Sequence, residues 1–568
     1  MEDIARVYWR KPKEVKRSYA DTKYGQIHYR YSGDRKSLKN PLLMLHQSPS
    51  SGRPFEGLLA RLGKERLVIA VDTPGFGDSD VPQNIPTIND YALAILDFID
   101  LINLDKFNFF GDHTGAKIAV EIVKICPSRI NKLIFNSCPV YSDEQMSKMK
   151  LHLEDEKPKS VIPEDGSHFV ERWISLQKWY EDAPIELINR DFIEMQRPLD
   201  KGWYGHNAAF AVNHADNLPK IFHPILVLCP NDMLWDATKA SEKYFNNGRI
   251  LELPEYGMGS LSVETEMYEK IFVNFLDDEQ HSVEKTIDQQ IVTSIHQLKE
   301  KNLIRKVFVD TPFGQIHVRI SGEKTKENTN RPLLCLHMSP FSSKNFEELI
   351  KVIGRDRLVF AMDIPGFGES DPPEKESTVY SLSEAILSAM QVLTNQIPFD
   401  ILGDHTGAVL GIHIAAHNQN FVKKLILNGI PCFESKDRKK RLDATQYNKP
   451  FSDGSHLLKR WKSVKILSGQ EANDKLVERN FVEALRGGPF SHWGHKAVFS
   501  YDLESSLRKV SQPTLVFRPR DGLESATEKY FTKLKNGILN DLPHEGYGFF
   551  EFNPKEYSQK IIDFLGNS

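Results

Sequence analysis

The feature that most constrains the fold is a set of motifs that occurs twice, in the same order and at nearly the same spacing. Gly-Gln-Ile-His begins at residues 25 and 314, and Asp-x-Pro-Gly-Phe-Gly begins at 72 and 363. Gly-Asp-His-Thr-Gly begins at 111 and 403, and Asp-Gly-Ser-His begins at 165 and 453, so the offsets are 289, 291, 292 and 288 residues. A repeat of this length indicates a duplicated domain rather than a solenoid of short units.

The composition is that of a globular protein of 568 residues, with 26% charged residues and a formal net charge of −4. That balance favours neither a nucleic-acid surface nor an acidic tail. Five cysteines are too few for a disulfide framework in so long a chain. No apolar run has the length of a membrane span, and the start of the chain has no signal-peptide core. We expect a soluble cytoplasmic protein with neither nucleic-acid nor membrane partners.

Apolar runs alternate with helix-patterned stretches inside each copy. The stretch 91–102 has helical periodicity, and the apolar runs are bounded by Gly, Pro and Ser. Alternation of strands and helices predicts an α/β fold whose mostly parallel sheet is covered on both faces. The predicted strands of the first copy are 41–45, 67–71, 107–110, 132–136 and 224–229.

We place the domain boundaries where the alternation of predicted strands and helices starts and stops. We predict a first domain over 1–280 and a second over 307–568, joined by a linker helix over 281–306 with isoleucines at helical spacing. Residues 141–217 break the rhythm and are rich in Trp, Arg and His, which predicts a helical cap over the carboxyl ends of the strands. The corresponding cap of the second domain is predicted over 433–507.

These motifs together resemble the α/β-hydrolase superfamily. His-x-Ser-Pro is followed by Asp-x-Pro-Gly-Phe-Gly-x-Ser-Asp and then by a glycine-flanked elbow between a strand and a helix. The likeness covers nearly the whole chain as two copies, and it looks closest to a branch with Gly-x-His-Thr-Gly in place of Gly-x-Ser-x-Gly. The resemblance implies two tandem α/β-hydrolase folds, each a mostly parallel sheet flanked by helices and carrying a helical cap.

The resemblance also assigns the catalytic positions, and two of them are altered. The nucleophile position at the elbow is His113 in the first copy and His405 in the second. The acid position after the next-to-last strand is Asp232 or Asp521. The usual base histidine is replaced by Met258 in the first copy and by Tyr547 in the second, where Tyr547 offers a proton donor. An ordinary Ser-His-Asp mechanism is therefore not supported in either half.

The oxyanion hole is assigned in the same way. The residue after the nucleophile supplies one backbone N–H, which corresponds to Thr114 and Thr406. The loop that carries His-x-Ser-Pro supplies the second, which corresponds to the N–H of Ser48 and Ser339. A serine before proline is also an ordinary turn residue, so the structural reading of Ser48 and Ser339 stays open.

The predicted caps bring further histidines that repeat between the copies. An arginine also recurs, Arg172 in the first copy and Arg460 in the second, and is suited to hold a carboxylate. Either these groups line a substrate chamber, or their polar atoms bond the backbone inside the cap. No short ligand spacing supports a metal site, and we predict none. The cap histidines are His168 and His206 in the first copy, and His456 and His495 in the second.

A histidine at the elbow that reaches the acid would form a dyad capable of acid–base catalysis near neutral pH. We therefore predict a cofactor-independent enzyme acting on a small carbonyl-containing metabolite by hydrolysis, lyase chemistry or cyclisation. Two alternatives stay open, namely a catalytically inactive ligand-binding protein or scaffold, and a hydrolase whose base comes from the cap. The duplication favours either a monomer that imitates a dimer or a homo-oligomer.

Overall fold

The computed structural model describes residues 6–158, 161–180, 183–278, 304–323 and 330–566. The described residues divide into two compact units. One unit, called the first unit below, contains the described residues of 11–162 and 168–278. The other, called the second unit, contains 304–566 together with 6–10 and 163–167. Each unit has its own eight-stranded sheet and its own hydrophobic core.

The sheet of the first unit has the strand order β1-β2-β4-β3-β5-β6-β7-β8. β2 runs antiparallel to β1 and β4, and the other neighbours are parallel. All five predicted strands are confirmed, and the central ones are buried along their whole length because helices cover both faces. The strands are β1 Lys16–Thr22, β2 Gly25–Ser32, β3 Leu42–Leu45, β4 Val68–Val71, β5 Phe107–Asp112, β6 Ile130–Asn136, β7 Ile225–Pro230 and β8 Gly248–Leu253.

The helices of the first unit begin where the sequence offers a cap or a tight turn. Thr87 and Asp90 form a capping box at the start of the helix predicted over 91–102, which runs over Ile88–Leu101. The segment predicted as a cap is helical, as expected. The helices are α1 Glu56–Leu62, α2 Ile88–Leu101, α3 Thr114–Ile125, α4 Asp143–Glu156, α5 Ser167–Gln177, α6 Ile185–Gln196, α7 Tyr204–Phe210, α8 Trp235–Lys239, α9 Ser260–Val263 and α10 Thr265–Leu276.

The sheet of the second unit repeats this topology, with the order β9-β10-β12-β11-β13-β14-β15-β16 and β10 antiparallel to β9 and β12. Its strands are β9 Ile304–Thr311, β10 Gly314–Ser321, β11 Leu333–Leu336, β12 Val359–Met362, β13 Phe399–Asp404, β14 Val422–Asn428, β15 Thr514–Arg518 and β16 Gly537–Asp541. Its helices are α11 Glu347–Ile353, α12 Val379–Thr394, α13 Thr406–His417, α14 Ser435–Ala444, α15 Ser455–Leu467, α16 Asp474–Arg486, α17 Ser491–Ser500, α18 Leu503–Leu507, α19 Glu524–Phe531, α20 Phe549–Phe552 and α21 Pro554–Leu565.

The linker helix predicted over 281–306 lies outside the described residues as far as 303. Residues 304–306 belong to strand β9 rather than to a helix, because they pair with Arg319, Ile320 and Ser321 of β10. Among the described residues, no helix is long and apolar enough to cross a membrane.

A buried aspartate at the end of β4 ties together the loops that frame the site. The carboxylate of Asp72 accepts hydrogen bonds from the backbone N–H of Gly52 at 2.7 Å and of Asp78 at 3.1 Å. It also contacts His28 Nδ1 at 2.7 Å and Arg30 Nη1 at 3.0 Å. Asp363 repeats the arrangement in the second unit with Ser343, Glu369 and His317. The Asp-x-Pro-Gly-Phe-Gly motif thus fixes loop geometry, because a buried carboxylate is stable only when donors satisfy it.

Candidate functional site

The turn from β5 into α3 holds His113 in a backbone conformation that is rare for any residue except glycine, with φ 48° and ψ −104°. His405 repeats it in the second unit, with φ 47° and ψ −101°. Such a conformation costs about 1–3 kcal/mol and persists only where the surroundings enforce it. A Cβ on Gly115 would lie 2.3 Å from the carbonyl oxygen of Leu45, so the elbow helix needs glycine to approach β3. Both elbows are therefore strained turns of the kind that present a functional side chain.

Each elbow histidine is hydrogen-bonded to the aspartate predicted as the acid. His113 Nε2 lies 3.0 Å from Asp232 Oδ2, and His405 Nε2 lies 2.7 Å from Asp521 Oδ2. The imidazole side chains are 15% and 14% exposed, whereas the two carboxylates are 2% and 1% exposed. The carboxylate therefore lies on the buried side of the contact, and the imidazole keeps a small exposed face. This contact spans more than a hundred residues of sequence in each copy.

The surroundings favour the charged form of both histidines. Burial lowers the pKa of His113, but the hydrogen bond with Asp232 and the charges of Asp112 and Asp232 outweigh it, so the pKa is raised above the ordinary 6.5. The pKa of His405 is raised in the same way by Asp521 and Asp404 against the effect of burial. An imidazole of this kind can both accept and deliver a proton near neutral pH.

The acid of the first unit has a donor that the second unit lacks. Asp232 Oδ2 also accepts a hydrogen bond from Ser137 Oγ at 2.7 Å, and Oδ1 accepts one from the N–H of Leu234 at 2.7 Å. Burial raises the pKa of Asp232, but the elbow imidazole and these donors reverse the effect and lower it. The position of Ser137 is occupied by Gly429 in the second unit, and both residues have positive φ. The sequence analysis did not single out Ser137, although its place directly after β6 is a signal for a site residue.

The aspartate before each elbow histidine is hydrogen-bonded to an asparagine at the end of the next strand. Asp112 Oδ1 accepts a hydrogen bond from Asn136 Nδ2 at 2.8 Å and lies 3.9 Å from His113 Nε2. Asp404 accepts the same bond from Asn428 at 2.8 Å. Burial raises the pKa of both carboxyls, to about 6 for Asp404. The two Asn–Asp bonds join the elbow to the end of the next strand.

The loops assigned to the oxyanion hole lie against the elbow helix. Thr114 is the first residue of α3, so its N–H belongs to the helix start, where intrahelical acceptors are missing. In the second unit, the N–H of Ser339 donates to Thr406 Oγ1 at 3.3 Å. A Cβ on Gly205 would lie 2.0 Å from Ser48 Oγ, so helix α7 of the cap packs directly on the loop of the first unit. In the second unit the two assigned positions are thus neighbours, while a role in catalysis stays a prediction for both units.

A buried ion cluster fastens the cap to the sheet in the first unit. Glu194 of α6 accepts hydrogen bonds from Ser51 Oγ at 2.7 Å and Arg53 Nη1 at 3.1 Å. It also accepts from Arg197 Nη1 at 2.9 Å, and Arg197 pairs with Asp78 at 2.6 Å. Glu483, Ser342, Arg486 and Glu369 repeat the cluster in the second unit. Removing one partner of such a cluster costs about 3–5 kcal/mol, because a charge is left buried and unpaired.

Two of the predicted cap histidines occupy matching helical positions. His206 stacks on Phe210 with ring centroids 5.3 Å apart, and His495 stacks on Phe499 at 5.9 Å. Burial, and then the charges of Arg460 and His405, lower the pKa of His495 to about 4. His495 is therefore neutral at pH 7 and close enough to the elbow to sense its charge.

The other two cap histidines have contacts inside the cap. The ring of His168 lies 4.2 Å from that of Phe169. His456 is 2% exposed, and its Nδ1 accepts a hydrogen bond from the N–H of Phe451 at 3.1 Å. Burial lowers the pKa of His456 to about 4. The structure gives these residues packing and loop contacts, and a role in substrate binding stays a prediction for both.

The position of the missing base is filled differently in the two units. Met258 is half-buried and carries no titratable group. Tyr547 lies beside the elbow of the second unit, with its ring centroid 5.6 Å from that of His405. Burial, followed by the charges of Asp521 and Asp404, raises the Tyr547 pKa to about 12. The phenol is therefore protonated at neutral pH and available as a hydrogen-bond donor.

A cavity of about 30 Å³ in the first unit reaches Asp112. Its other lining groups include Ser51, Tyr180 and Asp191, so it is polar and large enough for about one water molecule. Within the described ranges, no group of three His, Cys, Asp or Glu side chains has the arrangement of a metal site. All five cysteines are buried and free.

Comparison with known proteins matches the model of the alpha/beta hydrolase fold family to residues 40–172 and again to 331–448. The proline iminopeptidase of Heyndrickxia coagulans is 26% identical over 231 residues, which is 36% of this chain and 78% of that protein. The 2-hydroxy-6-oxo-6-(2'-aminophenyl)hexa-2,4-dienoic acid hydrolase of Metapseudomonas resinovorans is 22% identical over 45% of this chain and 92% of its own. Among solved structures, an esterase from Exiguobacterium antarcticum matches with a TM-score of 0.40 and 20% identity, covering 46% of this chain and 99% of its own.

The two sheets and the two family matches coincide, one in each half of the chain. The chain is a tandem duplication of the α/β-hydrolase fold. Its curated relatives are hydrolases, and it is an α/β-hydrolase-fold enzyme.

Proposed function

We propose that this enzyme acts on a small carbonyl-containing metabolite by acid–base catalysis, with a His–Asp dyad at the elbow and without a serine nucleophile. The observation that carries the proposal is the pair of short contacts, His113 with Asp232 and His405 with Asp521. Both histidines stand on a strained turn that two separate copies retain. Strain at a position that presents a titratable group is typical of a catalytic site.

The two ring nitrogens of His113 have different roles in this proposal. With Nε2–H donated to Asp232, Nδ1 of His113 carries the lone pair and acts as the base, and the carboxylate stabilises the imidazolium that forms. The N–H groups of Thr114 and Ser48 are assigned to the carbonyl oxygen of the substrate. Removal of a proton beside that carbonyl leads to lyase or cyclisation chemistry, and removal of a proton from water leads to hydrolysis.

The comparisons support this substrate class without fixing it. The relative from Metapseudomonas resinovorans is named for the hydrolysis of a hydroxy-oxo-dienoic acid, a small metabolite that contains a carbonyl group. The histidine at the elbow of this chain argues for acid–base chemistry in place of a hydroxyl nucleophile.

A hydrolase that uses Ser339 as nucleophile and His495 as base fits the second unit less well. Ser339 Oγ has no hydrogen-bond partner in the part of the chain that the structure describes, so His495 does not activate it. Covalent labelling of Ser339 or Ser48 by a serine-directed phosphonate would support this alternative and contradict the dyad mechanism.

The direct test replaces the elbow histidines. We expect His113→Ala and His405→Ala each to remove the activity of its own unit, and the double variant to lose about 100- to 10,000-fold in turnover of the best substrate from a panel of acyl esters and oxo acids. Phe451→Ala, which keeps the backbone N–H that donates to His456 Nδ1, is the control. Turnover that survives the double substitution would contradict the dyad mechanism, and ligand binding without any turnover by the wild type would identify a binding protein.

A further inference from the structure

The tyrosine at the position of the missing base histidine lies against the elbow of the second unit. The ring centroid of Tyr547 is 5.6 Å from that of His405, and the two rings are tilted by 38°. Tyr547 lies on the loop between β16 and α20, at the carboxyl edge of the parallel strands, from which the elbow also projects. Two groups are therefore side by side, one that can accept a proton and one that can donate a hydrogen bond.

The hydroxyl of Tyr547 borders open space. It has no hydrogen-bond partner among the described residues. A Cβ built on Gly522, the residue after the acid Asp521, would lie 3.8 Å from this hydroxyl. Apart from its chain neighbours, that Cβ would have no other described heavy atom within 4 Å. A half-buried donor of this kind needs an acceptor that water or a ligand supplies.

The first unit differs at both of these positions. Met258 stands where the second unit has Tyr547, and Met233 stands where it has Gly522. The Pro-x-Asp and Gly-x-Gly motifs that contain or precede these residues align the two copies without a gap inside either motif. The phenol therefore occurs together with the glycine that leaves room beside its hydroxyl, and the first copy has neither at these positions.

A tyrosine from the cap approaches the same loop in the first unit, but its hydroxyl is already engaged. A Cβ on Gly259 would lie 2.8 Å from Cε1 of Tyr180. The hydroxyl of Tyr180 donates to Asp191 Oδ2 at 3.0 Å. Tyr180 therefore has a structural acceptor inside its own unit, whereas the hydroxyl of Tyr547 is available to a ligand.

A base and a donor at one site suit the removal of a proton from carbon. His405 Nδ1 takes a proton from the carbon beside a carbonyl group, the electrons of that C–H bond form a carbon–carbon double bond, and the carbonyl π electrons move to the oxygen. The oxygen gains negative charge in this step, so a donor aimed at it binds the enolate more strongly than the ketone. The imidazolium then returns a proton to the carbon or passes it to the oxygen, which gives the ketone or the enol.

We propose that Tyr547 is a catalytic residue of the second unit, where its hydroxyl donates to the carbonyl oxygen of the substrate while His405 removes a proton from the adjacent carbon. The proposal rests on the proposed function for the role of His405, and it adds a substrate class. The second unit should act on enolisable ketones and oxo acids. Carbonyl compounds without a hydrogen on the adjacent carbon are excluded as substrates of this step.

Exchange of hydrogen for deuterium measures this step directly. The full chain with His113→Ala, in which only the second elbow is intact, is incubated in deuterium oxide with 2-oxobutanoate, 4-oxopentanoate or cyclohexanone. Proton NMR follows the signal of the carbon beside the carbonyl group. We expect catalysed exchange of at least one probe, and a loss of at least about 100-fold when Tyr547→Phe or Tyr547→Met is added.

A matched control is a tyrosine of the same unit that also lies against a histidine ring. The ring of Tyr380 is 5.0 Å from that of His413, and Tyr380 is 62% exposed on α12. Tyr380→Phe should leave the exchange rate unchanged. The pH midpoint at which diethylpyrocarbonate modifies His405 should be the same with and without Tyr547→Phe, and a changed midpoint would assign the loss to the base and overturn the role of Tyr547.

Failure of this proposal and failure of the dyad mechanism give different results. If exchange survives His405→Ala in the same background, both are overturned. If His405→Ala abolishes exchange but Tyr547→Phe lowers it by less than the expected factor, the role of Tyr547 is overturned and the dyad mechanism stands. Absence of exchange for every probe also overturns the role of Tyr547, and hydrolysis of acyl esters by the same protein would then leave the dyad mechanism in place.

Discussion

The hydroxyl of Ser137 donates a 2.7 Å hydrogen bond to Asp232 Oδ2, the same oxygen that His113 Nε2 contacts. One carboxylate oxygen thus serves two donors in the first unit, whereas Gly429 offers no side chain in the second. We expect Ser137→Ala to destabilise the first unit by about 1–2 kcal/mol, because a hydrogen bond to a charged group is lost.

The Ser137 prediction is checked by the urea dependence of hydrogen exchange in peptides of β5 and β6. Ser147→Ala, which removes an exposed hydroxyl bonded to a helix carbonyl, is the control and should change stability by less than about 0.5 kcal/mol. The substitution should also raise the pKa of His113, because Asp232 then directs more of its charge to the imidazole. Equal effects of the two alanine variants would contradict the expected role of Ser137.

The protonation of the elbow histidines can be measured without a substrate. The rate at which diethylpyrocarbonate modifies His113 and His405 depends on the neutral imidazole, so its midpoint gives the pKa of each. We expect both midpoints above 6.5 in the wild type. In Asp232→Asn and Asp521→Asn the midpoint of the corresponding histidine should fall below 6.5, because burial is then the dominant effect.

The sign of the linked stability follows from the same pKa shifts. A histidine whose folded pKa is raised adds stability that is present in full below pH 6.5 and is lost as the pH rises through the folded pKa. If the midpoints are unchanged in the two aspartate variants, the His–Asp contacts do not control the protonation of the elbow histidines.

The raised pKa of Asp404 makes the stability of the second unit depend on pH. Burial raises its pKa from 3.8 to about 6, so its contribution to folding is present in full below pH 3.8 and is lost as the pH rises through about 6. Asp404→Asn keeps the oxygen that accepts from Asn428 and removes the titration. We expect the variant to gain stability relative to the wild type between pH 4 and pH 6, by about 3 kcal/mol in total.

This gain is measured as the difference in urea midpoint of peptides from β13 and β14 at each pH. Asp112→Asn in the first unit should behave in the same direction, since burial raises that pKa too. A difference between wild type and variant that is independent of pH would contradict the raised pKa of Asp404.

Two glycines test how closely the cap approaches the oxyanion loops. A Cβ on Gly205 would lie 2.0 Å from Ser48 Oγ, whereas a Cβ on Gly494 would lie 2.8 Å from Ser339 Oγ. We expect Gly205→Ala to destabilise the first unit by about 1–3 kcal/mol and to displace Ser48, and Gly494→Ala to have the smaller effect. Thermal unfolding of the two variants checks the order, and a larger effect of Gly494→Ala would contradict it.

The tandem α/β architecture and the identity of the elbow residue were predictable because both depend on local sequence. Buried parallel strands need continuous apolar runs, and the sharp elbow needs glycines at fixed spacing, so both leave a pattern in the chain. Asp232 and Asp521 were assigned as acids through the resemblance, and the structure brings each into contact with its elbow histidine, while their catalytic role stays a prediction.

Only the tertiary structure decided which of these groups meet. The His113–Asp232 contact joins the turns that follow β5 and β7, and its length depends on the positive φ of the elbow, which composition does not encode. Arg172 and Arg460 are equivalent in the sequence, yet Arg172 is exposed and bonded to Gln196, while Arg460 is half-buried and its Nε has no acceptor among the described residues. The two arginines differ because the partners of a side chain come from neighbouring elements of the fold. The sequence pattern of one segment does not contain those partners.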